Sequence, residues 1–175
     1  YKRFAVLGSN SFAGAAFVAR AVADGADVSG FNRSLKSSSI FLPYRNIKSG
    51  GSYTFIQADI NHDLDAILGR LDAFCPQVVV DFAGQGMVAE SWQNPAQWYN
   101  TNIVAKVKLH DQLRCRDWME RYVRISTPEV YGSQESLLQE TWQYNPSTPY
   151  AVSHAAVDQS LRAFHQQYDF PVIFT

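Results

Sequence analysis

Apolar positions along the chain fall into two kinds of segment, short continuous runs and stripes at helical spacing, and the two kinds alternate. Phe4-Ala5-Val6-Leu7 is a short apolar run followed by a turn of small residues. From Phe12 to Asp24, apolar residues recur at Phe12, Ala15, Ala16, Ala19 and Ala23, which predicts a helix that Gly25 can close in a left-handed conformation. Asp27 to Phe31 reads as a second strand. The polar, Ser/Gly-rich stretch from Asn32 to Ser52 reads as a long loop with room for a short helix. Tyr53 to Gln57 is strand-like, and Leu64, Ile67, Leu68, Leu71 and Phe74 form a helical stripe. Gln77 to Phe82 is a near-continuous β-branched run, as expected of a strand buried on both faces. A helix over Gln97–Leu113, a strand over Tyr122–Ser126, a loop over Ser133–Pro149, a helix over Tyr150–Tyr168 and a strand over Phe170–Thr175 follow. A strand–helix unit repeated about five times, plus a terminal strand, predicts an α/β fold: a doubly wound parallel sheet in a three-layer α/β/α arrangement. Ligands of such sheets bind beyond the carboxyl ends of the strands, so the residues just after each strand are the candidates for chemistry.

Composition narrows the reading. The 175 residues are 46% hydrophobic and 18% charged, with a net charge of −1, which suits one folded domain and argues against disorder. Near-zero net charge gives no general reason to expect nucleic acid or an anionic membrane as partner. No apolar run approaches the roughly 20 residues needed to cross a bilayer. Cys75 and Cys115 fit no metal or redox spacing, so no metal site is expected. So small a cysteine count points to a reducing compartment, and a cytoplasmic location is the expectation. The chain has no initiator Met, enters its first strand pattern at once and stops on an apolar strand pattern, so it reads as part of something longer.

The first turn is Gly8-Ser9-Asn10-Ser11-Phe12-Ala13-Gly14. Glycine belongs where φ is positive or where backbone must approach a phosphate, and the following helix N-terminus offers unpaired N–H groups to a pyrophosphate. Gly8, Gly14 and the aromatic Phe12 here resemble the glycine fingerprint of the extended short-chain dehydrogenase/reductase family, the NAD-dependent nucleotide-sugar epimerases and dehydratases. Ser11 stands where that family usually has its middle glycine. The resemblance implies a Rossmann fold with NAD or NADP held by Gly8, Ser9, Asn10, Ser11, Phe12 and Gly14. The second strand ends in Phe31-Asn32-Arg33-Ser34, without the carboxylate that binds a ribose 2′-hydroxyl, and Arg33 can accommodate a 2′-phosphate. That leans towards NADP, with Asn32, Arg33 and Ser34 at the adenosine end, much as in GDP-mannose 4,6-dehydratases. Asp59-Ile60 resembles the family's pair beside the adenine. Asp81-Phe82-Ala83-Gly84 resembles the run over which the cofactor lies, with Phe82, Ala83 and Gly84 in contact. Glu90-Ser91 and Asn102 also sit at family positions, Asn102 in the cofactor site.

The catalytic reading centres on Ser126-Thr127-Pro128-Glu129-Val130-Tyr131-Gly132 and on Tyr150 with His154. Residues four apart share a helix face, so Tyr150 and His154 can point at one cofactor. The family uses a Tyr-x-x-x-Lys pair there: the tyrosine is the acid/base, the lysine supplies positive charge and holds the ribose. His154 replaces that lysine. It can still bond the ribose, and as imidazolium it would lower the tyrosine pKa. Three outcomes stay open: a working variant with an altered pH profile, a slow enzyme, or a non-catalytic NAD(P)-binding protein. The resemblance places Thr127 on the substrate's reacting oxygen. Glu129 matches the base that 4,6-dehydratases, unlike 4-epimerases, need for removing the C5 proton. The implied function is nucleotide-sugar 4,6-dehydration, with a 4-epimerase or reductase as the alternative. The implied assembly is a homodimer through a four-helix bundle of the helices beginning near Gln97 and Tyr150. The family's members run to about twice this length, so residues 1–175 read as the NAD(P)-binding domain, with the C-terminal substrate-binding domain absent from this chain.

Overall fold

In a computed structural model that describes residues 1–35, 41–133 and 137–175, six parallel strands form one sheet in the order β3-β2-β1-β4-β5-β6. The strands are β1 (Arg3–Leu7), β2 (Asp27–Asn32), β3 (Tyr53–Gln57), β4 (Val78–Asp81), β5 (Arg121–Arg124) and β6 (Val172–Phe174). The helices are α1 (Phe12–Ala23), α2 (Leu64–Phe74), α3 (Pro95–Tyr99), α4 (Lys106–Leu113) and α5 (Pro149–Tyr168). Chain order reverses between β1 and β4, which opens a crevice at their carboxyl ends. One face of the sheet packs Val6 and Val28 against Ala15, Val18 and Val22 of α1. The other packs Leu7, Phe31, Val79 and Tyr122 against Leu68 and Leu71 of α2, Leu109 of α4 and Leu161 of α5. The three-layer doubly wound sheet expected from the alternation is therefore present.

Local chemistry sets the boundaries. Ser11 caps α1 by accepting the Gly14 N–H at 3.1 Å, and Gly25 follows the helix with φ +88°. Thr148 caps α5 by accepting the Ala151 N–H at 3.1 Å, and Pro149 occupies the first helical position, where its missing N–H costs nothing.

The long loop with room for a short helix expected between β2 and β3 is present, and among the described residues its helix is a 3₁₀ turn at Pro43–Asn46. The buried Leu42 and Tyr44 of this connection pack against α1. One expectation needs correction. The single regular helix expected over Gln97–Leu113 starts at Pro95 and is interrupted by a π-helical segment, Asn100–Ala105, between α3 and α4. Residues 36–40 of the first predicted loop and 134–136 of the last lie outside the described residues.

Candidate active site

The turn after β1 is built by exclusion. Gly8 has φ +77°, and a Cβ there would lie 2.7 Å from the Ala83 nitrogen and the Phe82 carbonyl carbon. Glycine is required twice over, for its backbone conformation and for the approach of the β4 exit. A Cβ on Gly14 would meet the Gly8 oxygen at 2.3 Å, so the second glycine lets α1 close onto the turn. Ser11 sits in ordinary extended backbone (φ −67°, ψ 161°), so no glycine is needed there. Its hydroxyl takes the Gly14 N–H, and the N–H groups of Phe12 and Ala13 have no partner among the described residues.

A groove runs along the carboxyl edge of β1, β2 and β4 beside this turn. Gly8, Ser11, Asn32, Arg33, Ser34, Asp59, Ile60, Phe82, Ala83 and Gly84 all line it, ten of the residues expected to hold a dinucleotide. Asn32 ties its wall together, accepting the Asn10 N–H at 3.4 Å and donating to the Ser34 carbonyl at 3.2 Å. Burial works to raise the Asp59 carboxyl. Bonds from the Asn61 N–H (2.9 Å) and side-chain amide (2.8 Å), with the Arg33 cation nearby, outweigh it and hold the group below the usual carboxylate range.

The other seven do not line it: Gly14 lies under the turn, Tyr150 and His154 are on α5, and Phe12, Ser9, Asn10 and Asn102 stand as follows. Phe12 is 96% exposed at the start of α1 and does not line the groove. Ser9 is buried, accepting the Tyr53 hydroxyl at 3.1 Å. Asn10 accepts the Tyr44 hydroxyl at 2.8 Å and so anchors the 3₁₀ turn. Asn102 is buried with its amide fully used: it accepts the Gln85 N–H (2.7 Å) and donates to the Gln85 carbonyl (3.0 Å) and the Ser153 hydroxyl (2.9 Å). It positions the loop after β4 from below.

On α5, Tyr150 and His154 are neighbours, with ring centroids 4.5 Å apart. The Tyr150 N–H donates to Ser91 at 3.2 Å, which fixes the start of the helix against the 3₁₀ turn Ala89–Trp92. At the β5 exit, Thr127 caps the 3₁₀ turn Pro128–Tyr131 by accepting the Glu129 N–H at 3.4 Å. Thr127 lines a second cleft of about 670 Å³, rimmed by Tyr131, Trp142 and Tyr144. Glu129 is half-buried, and its carboxylate has no partner among the described residues. Glu129, Tyr150 and His154 line neither of these two clefts.

His154 departs most from expectation. Its Nδ1 lies 3.0 Å from a guanidinium nitrogen of Arg124. Burial and the Arg124 and Lys106 cations push its pKa down to about 3, so it is neutral at pH 7 and supplies no imidazolium to Tyr150. Arg124, Asp158 and Lys106 were not singled out from the sequence, and Asp81 was named there only as the first residue of the run after β4. The available signal was their setting: ionisable residues on core-facing positions of otherwise apolar strands and helices.

Comparison with known proteins agrees with this geometry. A sequence model of the GDP-mannose 4,6 dehydratase family matches residues 6–175. The chain belongs to that family. Within it, a dTDP-glucose 4,6-dehydratase from Xanthomonas campestris pv. campestris is 30% identical over 180 residues, covering 97% of this chain and 51% of its own length. Among solved structures, a dTDP-glucose 4,6-dehydratase from Streptomyces venezuelae with NAD bound superposes with a TM-score of 0.81 at 26% identity, over 98% of this chain and 54% of that one. A Thermus thermophilus UDP-glucose 4-epimerase in complex with NAD gives 0.82 at 25% identity, over 98% and 53%. The chain spans about half the length of each of these relatives.

Proposed function

We propose that these residues form the dinucleotide-binding and catalytic part of a nucleotide-sugar 4,6-dehydratase. The observation that carries the reading is Glu129: a half-buried carboxylate without a partner among the described residues, two positions after Thr127 at the exit of β5. The groove fits NAD(P): the Gly8 cradle lacks the Cβ that would fill it, two amides of α1 have no partner among the described residues, and Arg33 and Ser34 are exposed at the end of β2. When bound, the nicotinamide supplies the hydride acceptor and donor. Tyr150 takes the proton of the sugar C4 hydroxyl, and Thr127 hydrogen-bonds the same oxygen. The C4 ketone acidifies C5; Glu129 removes that proton and returns one to the C6 hydroxyl, which leaves as water, and return of the hydride to C6 with a proton to C5 gives the 4-keto-6-deoxy sugar.

NADP is favoured over NAD because β2 ends without a carboxylate and Arg33 follows it, although the related structures named above hold NAD. The likeness to the Thermus epimerase favours 4-epimerisation as the second reading. We place the residues that select the sugar outside these 175, because the relatives are about twice as long. The helices carrying exposed Val104 and Val152 are the proposed homodimer faces. Both cysteines are free thiols, which fits a cytoplasmic protein.

The test uses the full-length protein with nucleotide-hexoses and either dinucleotide. Dehydration gives a 4-keto-6-deoxy sugar, whereas epimerisation gives only C4 inversion. Glu129→Gln is expected to lower dehydration by about 10²–10⁴-fold while C4 oxidation survives. Full dehydration by that variant would remove Glu129 from the mechanism. Arg33→Ala is expected to weaken NADP about tenfold and leave NAD unchanged, as for loss of one charge-assisted contact.

A further inference from the structure

Two ion pairs lie in the core beneath α5. Asp81, at the end of β4, pairs with Lys106 of α4 at 2.5 Å; Arg124, at the end of β5, pairs with Asp158 of α5 at 2.8 Å. All four side chains are at most 1% exposed, and their charges cancel. Arg124 goes further than its carboxylate. It donates to the Ile125 carbonyl at 2.7 Å, and its other terminal nitrogen points at His154 Nδ1 at 3.0 Å. A guanidinium has donors only. Nδ1 must therefore accept, and the single proton of the neutral ring is on Nε2. An imidazolium would set N–H against N–H. His154 is itself 9% exposed, and no described residue accepts from its Nε2–H.

We propose that Arg124 is a positioning residue of the active site, which locks His154 as a neutral Nε2–H donor for a ribose hydroxyl and carries the fixed positive charge that related enzymes place on the lysine of their Tyr-x-x-x-Lys helix. This rests on the reading of Tyr150 and His154 as the cofactor-facing pair. The ionisable groups around His154 agree with it. Arg124 comes from β5, Lys106 from α4 and Asp81 from β4. Tyr150 packs against the ring at a tilt of 47° from one turn before, and Asp158, one turn after, is bound to Arg124. Both cations oppose a third positive charge, and Asp81 is already held by Lys106. A consequence is mutual exclusion: a lysine at 154 would aim an ammonium at the Arg124 guanidinium, so the family's lysine and this arginine cannot occupy the core together.

The full-length protein, labelled with ¹⁵N-histidine, tests this by NMR. His154 is expected to show one Nε2–H tautomer and no titration between about pH 5 and pH 9, although an ordinary histidine titrates near pH 6.5. An Nδ1–H tautomer, or a charged ring in that range, overturns the proposal. Arg124→Met combined with Asp158→Asn removes both charges of the pair and keeps the interior balanced. In this variant Nδ1 no longer faces a donor, so His154 is expected to populate the Nδ1–H tautomer as well and dinucleotide affinity to fall about tenfold, with the circular dichroism of the folded protein retained. Unchanged tautomer and affinity there overturn it. His154→Lys is expected to bind dinucleotide at least tenfold more weakly, and His154→Lys with Arg124→Met to recover most of that loss. Tight binding by His154→Lys alone overturns the exclusion. A wild-type protein that shows the Nε2–H tautomer yet binds no dinucleotide refutes the functional reading and leaves the Arg124–His154 lock supported.

Discussion

Lys106 occupies a core-facing position on α4, four residues after Asn102 and three before Leu109, and its ammonium is buried. Burial pushes its pKa down to about 8 against the opposing pull of Asp81, so the pair is ionic at neutral pH. Asp81 accepts from Lys106, from the Tyr122 hydroxyl at 2.8 Å and from the Ala83 N–H at 3.1 Å. Breaking one side of such a pair leaves an uncompensated buried charge. Lys106→Met is therefore expected to cost about 3–5 kcal/mol in urea unfolding, and adding Asp81→Asn to return most of it. A single-variant cost below about 1 kcal/mol would show that the pair is not needed. Single residues were unevenly legible in the sequence. Gly8 and Gly14 could be placed because a steric requirement at a turn is local. The charge state of His154 could not, because Arg124 reaches it from a strand 30 positions away.

At the scale of elements, the helix from Pro95 to Leu113 carries one wide turn at Asn100–Ala105. The wide turn sets the angular phase between two inward-facing groups, Asn102 under the β4 loop and Lys106 on Asp81. Inserting one alanine after the exposed Val104 adds a residue that the wide turn does not already absorb, and one residue more rotates the two ends relative to each other by about 100°. Either Asn102 or Lys106 then loses its partners. The expected result is a drop in Tm of about 10 °C, the equivalent of roughly 3 kcal/mol or more for a chain of this size. A Tm within about 2 °C of wild type would mean the wide turn sets no register. Apolar periodicity conveyed the helix but not this turn, because Trp98, Asn102, Ala105 and Leu109 fit an average helical stripe either way. The Val78-Val79-Val80 run of β4 was legible because a strand covered on both faces has no other composition available.

For the molecule as a whole, two buried neutral histidines dominate the response to acid. Burial is the main cause that pushes both His110 and His154 down to about pKa 3, with the Lys106 and Arg124 cations adding to it. In the unfolded chain each titrates near 6.5. Between these values the unfolded state holds more protons than the folded one, so stability rises with pH through the window and is lost as pH falls from about 6.5 towards 3. At its steepest the slope approaches two protons, about 2.7 kcal/mol per pH unit. Urea unfolding at several pH values from about 4.5 to 7 measures it, and replacing both histidines by glutamine should flatten it; a flat wild-type profile near pH 5–6 would exclude buried neutral histidines. The alternation of strands and helices made the sheet and its crevice legible. The ionic interior was not, because it is assembled from β4, α4, β5 and α5 and exists only after they pack. That interior also reaches the nucleotide cradle. Gly8 rests against Ala83, and the Ala83 carbonyl is held by the Lys106 ammonium. The cradle thus has a floor whose height is gauged by one four-carbon side chain. Any shorter residue at 106 leaves that dimension to solvent, and with it the tolerance within which the proposed site would seat a pyrophosphate.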